Sequence, residues 1–296
     1  MHSFTVYDFA LSSFEVVVRR RNERSNVVPL SKHDAKIQLF FRFLTKKGEN
    51  NLKFFRLQNE NRYFSEKMSN FAKFVRLNFK ITNGMSPKEK RNERLAARMV
   101  KSLNRRNMEA FYCPTAADAV KKVSELIEDG NSVAWGGSMT IRDLGIPEML
   151  KNRGTLELLD REQVETPEEV RAIYLRSFSA DVYLTSANAI SEDGVIVNID
   201  GNGNRVAAIT WGPKKVIFVI GMNKVAQTVE AALVRARSVA SPINAHRFDI
   251  NTPCQKDGAC HNCNSPESIC SYVHFLRNSR NKGRHVVVLV GEDLGY

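Results

Sequence analysis

From Met85 onward, short apolar runs alternate with amphipathic helical segments, and nothing else in the sequence restricts the fold as tightly. EAFYC is followed by AADAVKKVSELIEDG, SVAW by TIRDLGI, TLELLD by PEEVRAIYLRSF, and ADVYLTSA and KKVIFVIG by the long helical stretch NKVAQTVEAALVRARSVA. HVVVLVGEDLG supplies a last strand. Thr115 and Thr166 stand where helix N-caps are needed, and Pro87 suits the first turn of the helix that opens the region. Runs this short and this continuously apolar are buried on both faces, so the expectation is an α/β domain around a mainly parallel sheet. VIVNI, VAAIT and KKVIFVIG read as a strand-rich group, with DGNGN as a hairpin turn between the first two.

The first 84 residues have a different composition. They hold 16 Lys+Arg against 7 Asp+Glu, a net of +9 of the chain's +12, together with 12 of its 17 phenylalanines and only 2 of its 16 glycines. No period of 2 or 3.6 is sustained there, so residues 1–84 are expected to be an extension, disordered or loosely helical, or the product of a start upstream of a true start at Met85. A basic aromatic arm for nucleic acid is the competing reading of that segment alone. Residues 85–296, at 28 Lys+Arg against 25 Asp+Glu, give no reason to expect nucleic acid as a partner. The opening residues match neither a secretory signal nor a membrane span, and a cytoplasmic protein with reduced thiols is the expectation.

Three stretches carry candidate chemistry. WGGSMT follows a strand and precedes a helix, so Gly136 and Gly137 would let a ligand approach the backbone while Ser138 and Thr140 offer hydroxyls. A plain βα turn capped by Ser138 explains the same residues. In SANAISEDGVIVNIDGNGNR, Glu192 is the candidate for proton transfer and Arg205 for ligand binding, although acidic pairs at strand ends are more often solvated turn residues. Lys224, just after KKVIFVIG, stands at the edge where open α/β sheets bind ligands; an exposed lysine at a helix start is the alternative.

Four of the five cysteines fall in CQKDGACHNCNSPESIC, residues 254–270. With thiols reduced, Cys254, Cys260, Cys263 and Cys270 read as ligands of one centre, an iron–sulfur cluster or zinc, with His261 able to replace one of them. The spacing C-x5-C-x2-C-x6-C matches neither a two-CxxC zinc ribbon nor a ferredoxin run, so the metal stays open.

From Met85 to Tyr296 the chain resembles the lactate-utilization (LUD) domain family, in a shorter cysteine-containing branch. The resemblance rests on AWGGSMTIRDLGI, TSANAISEDGVIVNIDGNGNRVAAITWGPKKVIFVIGMNKV, NTPCQKDGACHNCNSPESIC and VVVLVGEDLGY. It implies a three-layer NagB/RpiA/CoA-transferase-like fold, in which a Gly-Ser-Thr loop after a strand holds phosphate or carboxylate groups. It also implies a small anionic metabolite, hydroxy-acid oxidation of the lactate type, and a redox partner protein. The larger subunits' ferredoxin-like cysteine repeats are missing, and no glutamate clearly matches the nucleophile of CoA transferases. A non-catalytic metabolite or redox sensor with a structural metal, and a phosphosugar isomerase or transferase, are the alternatives.

Overall fold

The computed structural model describes the backbone of residues 13–19, 38–44 and 50–56 and all of residues 85–296. The chain divides into two units, Met1–Met85 and Ser86–Tyr296. In the first, β1 (Ser13–Arg19), β2 (Gln38–Leu44) and β3 (Asn50–Arg56) form an antiparallel sheet in the order β1-β2-β3. The rest of residues 1–84 lies outside the described residues.

The second unit begins with α1 (Pro87–Arg105). The Ser86 hydroxyl accepts from Glu89 N at 3.2 Å and Glu89 accepts in return from Ser86 N at 2.9 Å, with Pro87 in the first turn. Strand β4 (Glu109–Cys113), helix α2 (Ala116–Glu125) capped by Thr115, and strand β5 (Ser132–Trp135) follow. Helices α3 (Met139–Asp143) and α4 (Ile146–Arg153) lead to β6 (Glu157–Leu159), then α5 (Pro167–Ser177), capped by Thr166, and β7 (Val182–Thr185). Strands β10 (Lys215–Gly221) and β13 (His285–Val290) complete a six-stranded sheet in the order β4-β13-β10-β7-β5-β6, every pairing parallel.

Both faces of this sheet are covered, which explains why its strands lack polar alternation. Val216, Phe218 and Ile220 of β10 pack with Leu95, Met99 and Leu103 of α1, whereas Ile217 and Val219 face a second core holding Val123, Ile141, Ile146 and Leu150. All five of these β10 side chains are fully buried, each contributing about 1.5–3 kcal/mol of transfer free energy. The fold of this unit is therefore α/β, a parallel sheet between two helical layers. Among the described residues no helix is long and apolar enough to cross a membrane.

A smaller sheet carries β8 (Ala189–Ser191), β9 (Ile196–Asp200), β11 (Val225–Ala226) and β12 (Tyr272–Leu276), in the order β11-β8-β9-β12. Two expectations fail around it. DGNGN does not join two strands, because VAAIT lies in α6 (Asn204–Thr210), where Val206 and Ile209 share the buried face and Gly203, at φ +79°, begins the turn. Apolar β-branched residues three apart suit that helix as well as alternation suits a strand. The long helix starts late as well. Val225 and Ala226 pair with β8, and the helix begins as α7 (Val229–Arg235), passes through a π turn at Ala236–Ala240, and continues as α8 (Ser241–Ala245). In the π turn the Ser241 hydroxyl donates to Ala236 O, five residues back, at 2.9 Å.

Candidate functional site

Strands β5, β7 and β10 end at one edge of the large sheet, and the segments leaving them line a cavity of about 490 Å³. Parallel sheets place ligands at this edge because successive loops diverge there. From β5 comes Gly136-Gly137-Ser138-Met139-Thr140, from β7 come Ser186 and Asn188, and from β10 comes Lys224 in the turn Met222–Lys224. The expected cluster of Gly136, Gly137, Ser138, Thr140, Arg205 and Lys224 is thus brought together. Ser138 also caps α3, its hydroxyl accepting from Ile141 N at 3.4 Å.

Lys224 is only 3% exposed, which excludes the surface lysine weighed as its alternative. Its Nζ donates to Thr140 Oγ1 at 2.9 Å and Ser186 Oγ at 3.2 Å, both neutral acceptors. Burial, with smaller contributions from the charges of Arg235 and Arg205, lowers its pKa to about 7. An amine poised there is both a nearby positive charge and, when uncharged, a proton acceptor.

Arg205 has a different task. Its guanidinium donates to Asn198 Oδ1 at 2.6 Å, Ile199 O at 2.7 Å and Asn188 Oδ1 at 3.1 Å, and lies 3.6 Å from Asp200. It braces the ends of β7 and β9 while its stem lines the cavity. Two further arginines reach the cavity from elements that the motifs did not mark. Arg161, in the 3₁₀ turn Arg161–Gln163, is bonded to the Tyr174 hydroxyl. Arg247, just beyond α8, donates to Gly137 O at 3.1 Å and Asn244 Oδ1 at 3.0 Å. Among the described residues, four cationic side chains thus line the cavity against the side-chain carboxylates of Asp200 and Glu267, which both accept from backbone N–H groups. The balance favours an anion.

Gly137 is needed for space. A Cβ there would collide with the Arg161 guanidinium, the mobile end of a long side chain. Gly137→Ala is expected to change stability by less than about 0.5 kcal/mol. Titration with small carboxylates should show roughly tenfold weaker binding, the loss of one charge-assisted hydrogen bond.

Glu192 does not join the cavity. It is ion-paired with Arg98 of α1, and Asp193 is bonded to Arg106 and Ser191, so both carboxylates tie the β8–β9 turn to that helix. The geometry assigns them to packing.

Cys254, Cys260, Cys263 and Cys270 all line a second cavity, of about 250 Å³, beside His261, Arg237 and Ser241. All four are free thiols. The His261 ring is bonded to Asp257 at 2.7 Å. Burial pushes the Cys270 thiol up, the Ser241 hydroxyl opposes this, and the other three cysteines raise it further. Among the described residues no three His, Cys, Asp or Glu side chains are gathered closely enough to hold a metal ion as they stand. The donor types suit a thiophilic metal, because all four cysteines line one small cavity and irregular chain links Cys260, Cys263 and Cys270. Cys113 lies apart, buried on β4. The two cavities share a wall: Ile199, Ser268 and Ile269 line both.

A family model described as "LUD domain" matches residues 96–290. Among solved structures, the chain is similar to the crystal structure of a DUF162 family protein from Deinococcus radiodurans, at 15% identity and a TM-score of 0.41, covering 67% of this chain and 97% of that one. No curated protein matches the chain.

Proposed function

The chain belongs to the LUD domain family, and from that premise we propose that it binds a small anionic metabolite, a hydroxy acid or its 2-oxo product, and takes part in its oxidation beside a centre held by Cys254, Cys260, Cys263 and Cys270. The observation that carries this reading is the shared wall, since Ser268 and Ile269 face the cationic cavity while Cys270 next to them faces the thiols.

In this reading Arg161 and Arg247 receive the carboxylate, and Gly136 and Gly137 let it approach the backbone. Lys224 takes the proton of the acid's hydroxyl, the role first expected of Glu192. Its pKa of about 7 leaves a large uncharged fraction at neutral pH. Oxidation to the 2-oxo acid also breaks the Cα–H bond, and that hydrogen would leave with its electron pair to a hydride acceptor on the redox partner protein; an iron–sulfur cluster on the four thiolates would carry electrons onward one at a time, whereas zinc would only tie the loop down.

Anaerobic purification followed by iron, sulfide and zinc analysis tests the centre, and turnover of hydroxy acids with an artificial electron acceptor tests the reaction. Bound iron and sulfide with turnover is the expected result. A folded protein that takes up neither metal removes the redox role, and binding without turnover leaves the sensor.

A further inference from the structure

A second, open groove of about 810 Å³ adjoins the cationic cavity, and Tyr174, Asn202 and Asn204 line both. It runs between α5 and α6, lined by Val170, Leu175, Phe178, Val206, Trp211 and Tyr272, and among the described residues Arg171 is its one cation and no acidic residue lines it. Trp211 is 77% exposed, Leu175 56% and Tyr272 50%, so large apolar side chains stand in water where the polar cavity opens. The Tyr272 ring lies on Gly203, where a Cβ would come within 3.1 Å of it. That glycine, also at positive φ, lets the ring lie close against the groove floor.

The cationic cavity alone is already in the range of pockets that enclose drug-sized ligands, about 300–1,000 Å³. A three-carbon acid would leave most of its 490 Å³ filled with water. We infer that the natural ligand is a longer acid, whose carboxylate sits among Arg161, Arg247 and Lys224 and whose apolar tail passes Tyr174 into the Trp211 groove. This inference rests on the anion-binding reading and adds to it the size and character of the rest of the molecule. Continuity between the two spaces argues for one ligand spanning both, because the same three residues serve each.

The test is a series of 2-hydroxy acids, lactate, 2-hydroxyhexanoate, 2-hydroxyoctanoate and 3-phenyllactate, titrated into the full-length protein and its Trp211→Ala variant. The chain has two tryptophans, of which Trp135 is buried, so the emission that Trp211→Ala removes belongs to the exposed Trp211, and that difference reports occupancy of the groove. Affinity should rise about fourfold per added methylene once the tail passes Tyr174. Trp211 emission should shift to the blue with the long acids and not with lactate. Trp211→Ala should weaken 2-hydroxyoctanoate roughly tenfold and leave lactate unchanged. Affinity independent of tail length, or a variant that weakens all the acids alike, overturns the inference while the anion site stands. If Trp211→Ala instead dissociates an oligomer without altering acid binding, the groove is a protein interface and the inference falls. If no acid binds, short or long, the anion-binding reading itself has failed.

Discussion

Replacing Lys224 with methionine is expected to weaken anion binding about tenfold and, at pH 7, to make the protein more stable. The two effects share a cause. The amine is buried against Thr140 and Ser186, and its pKa falls from 10.5 to about 7 because the fold disfavours the charged form. Between about pH 7 and 10.5 the unfolded chain holds a proton here that the folded chain does not, so native stability rises with pH across that window, by at most about 1.4 kcal/mol per unit. Below about 7 both states are protonated and the cost stays constant. Methionine removes that cost but strands two hydroxyls, for a net gain on the order of 2 kcal/mol at neutral pH that vanishes near pH 9 and becomes a net loss by pH 10. Urea denaturation of both proteins at pH 7 and pH 10 measures it. A bound anion favours the charged amine, so affinity in the native protein should fall by up to about tenfold per unit as pH rises above 7. A methionine variant that binds as tightly as the native chain would remove Lys224 from the site.

Serine at any one of Cys254, Cys260, Cys263 or Cys270 is expected to lower bound iron or zinc at least tenfold, since even changes outside the ligand sphere of metal sites cost about 10–100-fold. Cys113→Ala is the control, because that thiol is buried on β4 in the core behind the large sheet and lines neither cavity. It should destabilise the fold modestly and leave metal content unchanged. Metal loss in the control as large as in the other four would disconnect the cluster from binding. The thiols have room to converge, because residues 259–264 are irregular chain between the short helix α9 (Pro253–Asp257) and the turn that precedes β12.

The large sheet was legible because its strands are buried on both sides. Runs such as KVIFVIG and HVVVLV have no other soluble use at that length, and the threonine caps at 115 and 166 set the helix starts. VAAIT was misread because a short apolar run satisfies both periods and its neighbours decide between them. The site was half legible. Residues following a strand directly, Gly136 to Thr140 and Lys224, could be placed at the sheet edge by counting, and by that argument Ser186 after VYLT was within reach as well. Arg161 and Arg247 enter from a turn and from beyond a helix end, where no local pattern announces direction. The ion pair of Glu192 with Arg98 was out of reach of the sequence because the two lie 94 positions apart in the chain. Nor does sequence distinguish a solvated lysine from one that the fold has enclosed.

The π turn at Ala236–Ala240 has a consequence for both cavities. Arg237 and Ser241 line the cysteine cavity, whereas Asn244 and Arg247, one or two turns later, line the cationic one. Each position along an α-helix advances its side chain by about 100°, so the surplus residue of the bulge offsets everything downstream by that much. Threaded without it, the same sequence would aim Asn244 elsewhere and draw Arg247 off the Gly137 carbonyl. The spacing from Thr228 to Arg247 therefore acts as a ruler, and insertions or deletions there are constrained in number as well as in kind.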